Sequence, residues 1–191
     1  MPKAAMLKTL ILLFHPHFER SRANKALCEA ASALLDVEIV DMQALYPDGR
    51  IDTDAEVRRL IAADRIVFQF PLQWYSTPPL LKSWQDAVLT RMFYIAYETE
   101  GAKLAGKPLL VVATAGNTRQ AYAPDGANLF PLRDLLKPLQ ATAHRCDLAW
   151  AEPFLIYNAH KADDEALQAA AEHYVARLGR LAAPASRGEA A

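Results

Sequence analysis

The sequence predicts a doubly wound α/β fold, in which helices cover both faces of a parallel β-sheet. Short runs of consecutive apolar residues, typical of strands buried on both faces, alternate along the chain with helical patterns. There is no internal repeat and no low-complexity linker that divides the chain. With 191 residues, of which 52% are hydrophobic and 23% charged, the chain is large enough for one well-packed core.

The alternation assigns five strands and five helices. The strands are predicted at residues 8–14, 37–41, 65–70, 107–114 and 144–150. The helices are predicted at residues 23–35, 54–62, 79–92, 129–136 and 163–181, with Asp52 or Thr53 capping the second and Asp163 starting the last. Such alternation implies right-handed crossovers, and with the strand order 2-1-3-4-5 the fold is flavodoxin-like. Residues 1–182 are expected to form a single domain, with a flexible tail at 183–191.

Charge and composition exclude several classes of protein. The net charge is -1, from 21 Lys and Arg against 22 Asp and Glu, which disfavours both a nucleic-acid binder and a strongly acidic electron carrier. Cys28 and Cys146 lack metal-type spacing and are expected to be buried thiols in a reducing compartment. No segment has the length of a membrane span or the pattern of a signal peptide, so we expect a cytoplasmic protein without membrane insertion.

In a sheet of this kind, ligands bind beyond the carboxyl ends of the strands. The loop after the first strand contains neither GxGxxG nor a P-loop, but it feeds a helix N-terminus, which favours an anion such as a monophosphate. Ser21 and Asn24 could add donors and Arg22 a charge, although Ser21 could instead merely cap the helix. His15 either points into the crevice or packs beside it.

The loops after the third and fourth strands suggest a flat ligand. Trp74 and Tyr75 lie in a loop stiffened by prolines, where they could border a planar heterocycle or pack beneath the loop. Gly116 permits close approach of the backbone, beside Asn117 and Thr118 as donors. No metal site is expected, because His15 and His17 have no further ligands at suitable spacing. The remaining histidines, His144, His160 and His173, are expected to be isolated and peripheral.

Three segments together resemble the flavodoxin-2 family of NAD(P)H:quinone oxidoreductases. They are His15-Pro16 with Ser21-x-Ala23-Asn24, the stretch from Phe70 to Lys82 with Gln73-Trp74-Tyr75-Ser76, and Thr114-x-Gly116. Within the family, the chain is most similar to the ancillary oxidoreductases of glutathione-gated potassium-efflux systems. The resemblance implies bound flavin, two-electron reduction of quinones by NAD(P)H and a homodimer. FMN is the flavin of the potassium-efflux type, and FAD that of larger relatives.

The resemblance also assigns roles to residues. The phosphate and ribityl chain would be held by His15, Ser21, Arg22, Ala23 and Asn24. The isoalloxazine ring would be edged by Leu72, Gln73, Trp74, Tyr75, Thr114, Ala115, Gly116 and Asn117. The sequence departs from the family pattern at Asn117, where relatives have a second Gly, and near Ala127 or Asn128, where relatives carry a His.

The mechanism that this resemblance implies is ping-pong, with NAD(P)H and quinone using one face of the flavin in turn. Backbone N–H groups near Asn117 and Thr118 would stabilise charge on the reduced flavin, and Tyr122 and Tyr97 would form the pocket wall or donate a proton. A homodimer is expected through Trp84, Met92, Phe93 and Tyr94, unless these residues are ordinary core.

Two other classes of function are considered. In the first, the protein is a regulatory subunit that binds a potassium-efflux transporter, peripherally at the inner membrane. In the second, it is a one-electron flavodoxin carrier, which the balanced charge disfavours.

Overall fold

A parallel β-sheet runs through the centre of the structure, a computed structural model that describes residues 7–181. The strands are β1 (Thr9–Leu13), β2 (Val37–Asp41), β3 (Arg65–Pro71), β4 (Pro108–Thr114), β5 (Ala149–Trp150) and β6 (Phe154–Ile156). Their order, β2-β1-β3-β4-β5, confirms the predicted flavodoxin-like arrangement. The predicted tail at 183–191 lies outside the described residues.

The last position in the sheet differs from the prediction, because two short strands share it. β5 pairs with the start of β4, and β6 pairs with its end, opposite Val112–Thr114. The predicted strand at 144–150 was therefore placed too early, and its first residues belong to a helix. Pro153, which has no N–H to donate, lies between the two short strands. As a result, the strand end that faces the ligand crevice is Ile156.

Within residues 7–181, six α-helices pack around the sheet, and the last of them follows the final strand. They are α1 (Arg22–Ser32), α2 (Met42–Leu45), α3 (Thr53–Ala62), α4 (Pro79–Trp84), α5 (Lys137–Arg145) and α6 (Asp164–Gly179). The caps follow the sequence signals: the side chains of Asp52 and Asp163 accept hydrogen bonds from the N–H groups of Ala55 and Ala166. α4 continues in π-helical turns over Gln85–Leu89 and Arg91–Ile95, beyond the predicted end at Met92.

The predicted helix at 129–136 was wrong. Leu129 has a φ of 64°, a left-handed conformation that ends regular helix, and only a short 3₁₀ turn forms at Asp134–Leu136. The α-helix begins instead at Lys137, which places Pro138 in its first turn. Proline is tolerated there because its missing N–H has no helical partner in any case.

Alternate residues of each strand face two separate cores. Leu10 and Leu12 face the core formed with α2 to α5, whereas Ile11 faces the core formed with α1 and α6. Both cysteines are buried and free, as expected. Trp84, Met92 and Phe93 are buried in the first of these cores. They are core residues, and the expectation that they form an exposed dimer surface was wrong for all three. Within residues 7–181, no helix is both long and apolar enough to cross a membrane.

The turn after the π-helical segment depends on a glycine. A Cβ on Gly101 would lie 2.5 Å from the Met92 carbonyl oxygen and 2.9 Å from the Tyr97 ring, closer than real contacts allow. Because one of these neighbours is backbone, it cannot move aside cheaply. We expect Gly101→Ala to lower the free energy of unfolding by about 1–3 kcal/mol, measured by urea denaturation.

Gly179 provides the matched control, because it ends α6 with nothing within 4 Å of its Cβ position. Gly179→Ala should stabilise the protein by up to about 1 kcal/mol, as a gain in helix propensity. Equal effects of the two substitutions would show that the close approach at Gly101 is not real.

Candidate functional site

The loops that follow β1, β3, β4 and β6 meet at the carboxyl end of the sheet and enclose a cavity of about 370 Å³. Backbone hydrogen bonds join these loops to one another. The N–H of Leu72 donates to the Thr114 carbonyl (2.8 Å), and the N–H of Ala115 donates to the Ile156 carbonyl (2.7 Å). The cavity is lined by His15, Pro16, His17, Arg20, Ser21, Arg22, Ala23, Pro71, Leu72, Gln73, Thr114, Ala115, Gly116, Ala159 and His160.

The N-terminus of α1 opens onto this cavity. Ser21 caps the helix, and its hydroxyl accepts from the backbone N–H and the side-chain amide of Asn24, at 3.3 and 3.1 Å. The next two residues, Arg22 and Ala23, line the cavity at the positive end of the helix dipole. A helix N-terminus of this kind binds anions, as the sequence suggested. Ser21 thus caps the helix, and it also lies on the cavity wall.

Beneath the cavity, a buried network of polar side chains connects α1, β3, β4 and α6. The Asn24 amide donates to the Thr114 hydroxyl (3.1 Å), and the Gln69 amide donates to the Asn24 side-chain oxygen (3.2 Å). Tyr174 donates to Gln69 (3.2 Å), which also lies 3.4 Å from the Cys28 sulfur. Asn24 and Thr114, both assigned to flavin binding, are thus buried and hold the walls of the cavity from below.

Burial keeps the protons on this network. It raises the pKa of the Cys28 thiol to about 12 and that of the Tyr174 phenol well above its usual range. Cys28 is therefore a protonated thiol at neutral pH and lacks the thiolate character of a nucleophile.

The loop after β3 forms a tight two-residue turn. The backbones of Gln73 and Ser76 exchange two hydrogen bonds of 2.9 Å, and the residues between them have positive φ angles, 44° at Trp74 and 64° at Tyr75. Such a turn favours Gly or Asn, so two aromatic residues here are strained, a feature that clusters at ligand sites. The Trp74 side chain is 94% exposed and does not pack beneath the loop. The Tyr75 hydroxyl donates to the Asn128 side-chain oxygen (3.4 Å).

The loop after β4 uses the side chain of Asn117 internally. Its oxygen accepts from the Thr118 N–H at 2.9 Å, and its carbonyl accepts from the Asn158 N–H at 2.8 Å. The Thr118 N–H therefore already has an acceptor, contrary to the expectation that it is free to stabilise a flavin. The N–H groups of Gly116 and Asn117 have no partner within residues 7–181, so these two can serve a ligand.

His15 lines the cavity as a neutral imidazole. Burial is the main cause that lowers its pKa, and the nearby His17 lowers it further. Its Nδ1 accepts from the His17 N–H at 3.0 Å, so in the neutral ring Nε2 carries the hydrogen and can donate. His15 is thus placed as a donor at the edge of the cavity.

The Arg22 guanidinium is already committed to other groups. It donates to the Ala162 carbonyl (2.7 Å) and to the Asp164 carboxylate (2.6 Å). Its charge is balanced at the start of α6, and the side chain ties α1 to the segment after β6. Arg22 contributes to the cavity mainly through its backbone.

The two tyrosines assigned to catalysis are not brought together. Tyr122 is 8% exposed and packs edge-on against Tyr157, with 5.7 Å between ring centroids, in a small cluster with Ala115. Burial raises its pKa, so the phenol holds its proton. Tyr97 lies beyond the π-helical segment, 6.1 Å from the Phe93 ring, and is not among the residues that line the cavity.

Sequence reasoning missed the fourth wall of the cavity, which Ala159 and His160 form. His160 was expected to be peripheral, and that expectation was wrong. The sequence does carry a signal for this wall, an apolar run at 154–156 followed by Asn158. In the structure this run is β6, and Asn158 has a φ of 55°. Because the last strand was predicted at 144–150, the loop that carries Ala159 and His160 did not follow a predicted strand. It was therefore not considered as part of the site.

The ionisable side chains that line the cavity are bases, although both arginines pair with carboxylates beside it, Arg22 with Asp164 and Arg20 with Glu19. Of the described residues, no Asp or Glu lines it, while two arginines and three histidines do: Arg20, Arg22, His15, His17 and His160. No carboxylate of the described wall repels an anion, and the N-terminus of α1 adds a partial positive charge. The arrangement is therefore suited to a ligand with a negatively charged end and a flat, largely apolar body.

Comparison with known proteins agrees with this geometry. Uncharacterized NAD(P)H oxidoreductase YdeQ of Bacillus subtilis is 41% identical over 175 residues, which cover 92% of this chain and 88% of that protein. The glutathione-regulated potassium-efflux system ancillary protein KefF of Klebsiella pneumoniae is 44% identical over 169 residues, covering 88% of this chain and 93% of that protein.

A solved structure has the same fold. The crystal structure of general stress protein 14 from Treponema denticola, in complex with FMN, matches with a TM-score of 0.84 at 33% identity, covering 92% of this chain and 99% of that chain. The profile of the flavodoxin-2 family, described as a flavodoxin-like fold, matches residues 7–178. These findings confirm the resemblance noted in the sequence, and the chain belongs to the flavodoxin-2 family.

Proposed function

We propose that this protein is an FMN-dependent NAD(P)H:quinone oxidoreductase. The observation that carries the proposal is the cavity at the carboxyl ends of the strands, which is bordered by the N-terminus of α1 and by Gln73, the first residue of the tight turn that holds Trp74 and Tyr75. The names of the relatives, an NAD(P)H oxidoreductase and a protein bound to FMN, support the same conclusion.

The phosphate end of FMN fits the N-terminus of α1. Ser21 presents a hydroxyl there, and Arg22 and Ala23 present N–H groups that the helix does not use. No Asp or Glu is among the described residues that line the cavity, so no carboxylate of its wall repels the phosphate dianion. One phosphate site in a cavity of about 370 Å³ supports FMN rather than FAD, whose second phosphate and adenosine need more room.

The ring end fits the loops after β3 and β4. Leu72 offers an apolar surface and Gln73 an amide, and both line the cavity. Gly116 has no side chain to exclude a flat ring, and its N–H, with that of Asn117, is unpaired within the described residues. Thr114 and Ala115 fix the backbone below, since both are buried.

When bound, FMN supplies the redox chemistry, by accepting a hydride from NAD(P)H and passing it to a quinone. The residues of the chain bind and orient. The two unpaired N–H groups stabilise negative charge at the ring edge, as donors of this kind do for oxyanions. Tyr122 supports the wall as a packed, protonated phenol. NAD(P)H and the quinone react in ping-pong order, and parallel double-reciprocal plots of initial rates would test this order.

Gly116 offers a test of the proposed flavin site. A Cβ at this position would meet only the exposed His160 ring, at 2.9 Å, which can move aside, so Gly116→Val should fold. The branched side chain of the valine would crowd the ligand cavity and leave less room for FMN. The affinity for FMN should therefore fall by at least about tenfold. The measurement is titration of apoprotein with FMN, followed by NADH and NADPH oxidation with a benzoquinone.

Gly179→Ala serves as the control and should leave both FMN affinity and quinone reduction unchanged. Wild-type protein that binds FMN but reduces no quinone would contradict the proposed activity. Unchanged FMN affinity in Gly116→Val would contradict the proposed site.

We further propose that two copies form a homodimer that completes the site. A groove of about 460 Å³ lies beside α4 and α5, lined by apolar residues that include Leu89, Phe93 and Leu139, and it shares Leu72 with the flavin cavity. Between residues 74 and 130, several large apolar side chains are exposed: Trp74, Tyr75, Tyr94, Ile95, Leu129 and Phe130. Surface of this kind marks interfaces, and a second copy is the occupant that the family resemblance implies.

A charge at Ile95, which is 79% exposed, tests this dimer. Ile95→Glu should weaken association by about tenfold or more, because it buries an unpaired charge in the interface. Leu35→Glu is the matched control, because Leu35 is 93% exposed and lies beside the opposite end of the sheet. This substitution should leave the association of the two copies unchanged. Analytical ultracentrifugation across a concentration series measures both. A wild-type protein that stays monomeric at micromolar concentration would contradict the proposal.

A second candidate function is regulatory binding to a potassium-efflux transporter, from the cytoplasmic side of the inner membrane. The observation that favours it is the identity of 44% to an ancillary protein of such a system. Co-purification with a transporter encoded beside this gene, from detergent extracts, would support the regulatory role. Failure of the two proteins to co-purify would count against it.

A further inference from the structure

The segment after β6 is joined to the loop after β4 on both sides of Gly116. The N–H of Ala159 donates to the Ala115 carbonyl (3.0 Å), and the N–H of Asn158 donates to the Asn117 carbonyl (2.8 Å). The first acceptor lies one residue before Gly116 in the sequence, and the second lies one residue after it. The backbone of the segment is therefore fixed beside Gly116.

The His160 ring, carried by this segment, lies against Gly116. A Cβ on Gly116 would be 2.9 Å from Cδ2 of the ring and 3.3 Å from Nε2. By standard bond lengths and angles, the backbone nitrogen of a residue lies about 2.5 Å from its Cβ position. Nε2 is therefore within about 6 Å of the Gly116 nitrogen. Since two hydrogen bonds of about 3 Å span that distance, one acceptor atom of a ligand can accept from both groups.

Neither of these two groups is used by the rest of the described protein. The His160 side chain is exposed and forms no hydrogen bond or ion pair within residues 7–181. The Gly116 N–H has no partner there either, whereas the Thr118 N–H, two residues along the same loop, already donates to Asn117. Because a neutral imidazole carries one N–H, His160 can donate from Nε2 in one of its two tautomers.

We propose that His160 is a further ligand-binding residue, which donates a hydrogen bond from Nε2 to an acceptor atom on the edge of the flat ring. The same atom, a ring carbonyl oxygen or a ring nitrogen, accepts a second hydrogen bond from the Gly116 N–H. The inference rests on the proposed function, since that function places a flavin ring beside Gly116. It adds a side-chain donor from the segment after β6 to the backbone donors of the loop after β4.

FMN and riboflavin have the same ring and differ by the phosphate, so together they report which end of the ligand His160 contacts. His160→Ala should weaken the binding of both flavins to the apoprotein by about fivefold, because each loses the same hydrogen bond. The ratio of the two affinities should not change. Quenching of flavin fluorescence measures both affinities.

Two further variants and a spectrum sharpen the test. His160→Gln retains a neutral donor and should recover part of the lost affinity. A hydrogen bond at the ring edge changes the visible absorption spectrum of bound FMN, so His160→Ala should alter this spectrum, even where riboflavin binds weakly, and His160→Gln should alter it less. His173→Ala is the matched control and should change neither affinity nor spectrum, because His173 is exposed on α6 and does not line the cavity.

The other outcomes would contradict the inference. A loss for FMN alone would place His160 at the phosphate and overturn it, as would no loss for either flavin or an unaltered spectrum of bound FMN. Equal losses in His160→Ala and His160→Gln would show that the imidazole is not a hydrogen-bond donor to the ring, and would also overturn it. Wild-type protein that binds neither flavin would instead overturn the proposed function itself.

Discussion

The cavity depends on one buried hydrogen-bonded network beneath it. Gln69, in the middle of β3, connects Asn24 on α1 with Tyr174 on α6, while Asn24 also holds Thr114 at the end of β4. Buried polar groups are costly unless they are paired, so each partner restrains the others. The network thereby fixes the relative positions of α1 and the ends of β3 and β4, and these elements carry the anion site and the loops that border the ring. Loss of any member leaves buried partners unsatisfied and loosens the site from below.

Above the network, electrostatics select the class of ligand. The described cavity walls carry basic side chains and no carboxylate, and the N-terminus of α1 adds its own partial positive charge. Beside the cavity, just beyond Gln73, two aromatic residues are held in left-handed conformations by the hydrogen bonds of a tight turn. The strain is tolerated because the turn fixes backbone groups beside the ring site. A ligand that carries a phosphate at one end and a flat ring at the other matches both features. The geometry therefore favours a mononucleotide flavin.

Much of this was predictable from sequence, for physical reasons. Strands buried on both faces are conspicuous in sequence, and their carboxyl ends marked three of the four loops of the site. Two things escaped. Local patterning could not show that Pro153 divides the last strand, so the loop carrying His160 was overlooked. Composition also could not distinguish a buried aromatic from an exposed one: Trp84 and Phe93 belong to the core, whereas Tyr94 and Ile95 remain exposed. That difference depends on how the π-helical turns rotate the chain, which propensity does not encode.

A crystal structure of the protein grown with FMN tests the central claim most directly. The account predicts the phosphate against the N–H groups of Arg22 and Ala23, with the Ser21 hydroxyl beside it and the ring between the turn at Trp74 and the backbone of Gly116. Electron density for FMN at any other place, with the cavity at the strand ends filled by the side chains of the protein, would contradict it.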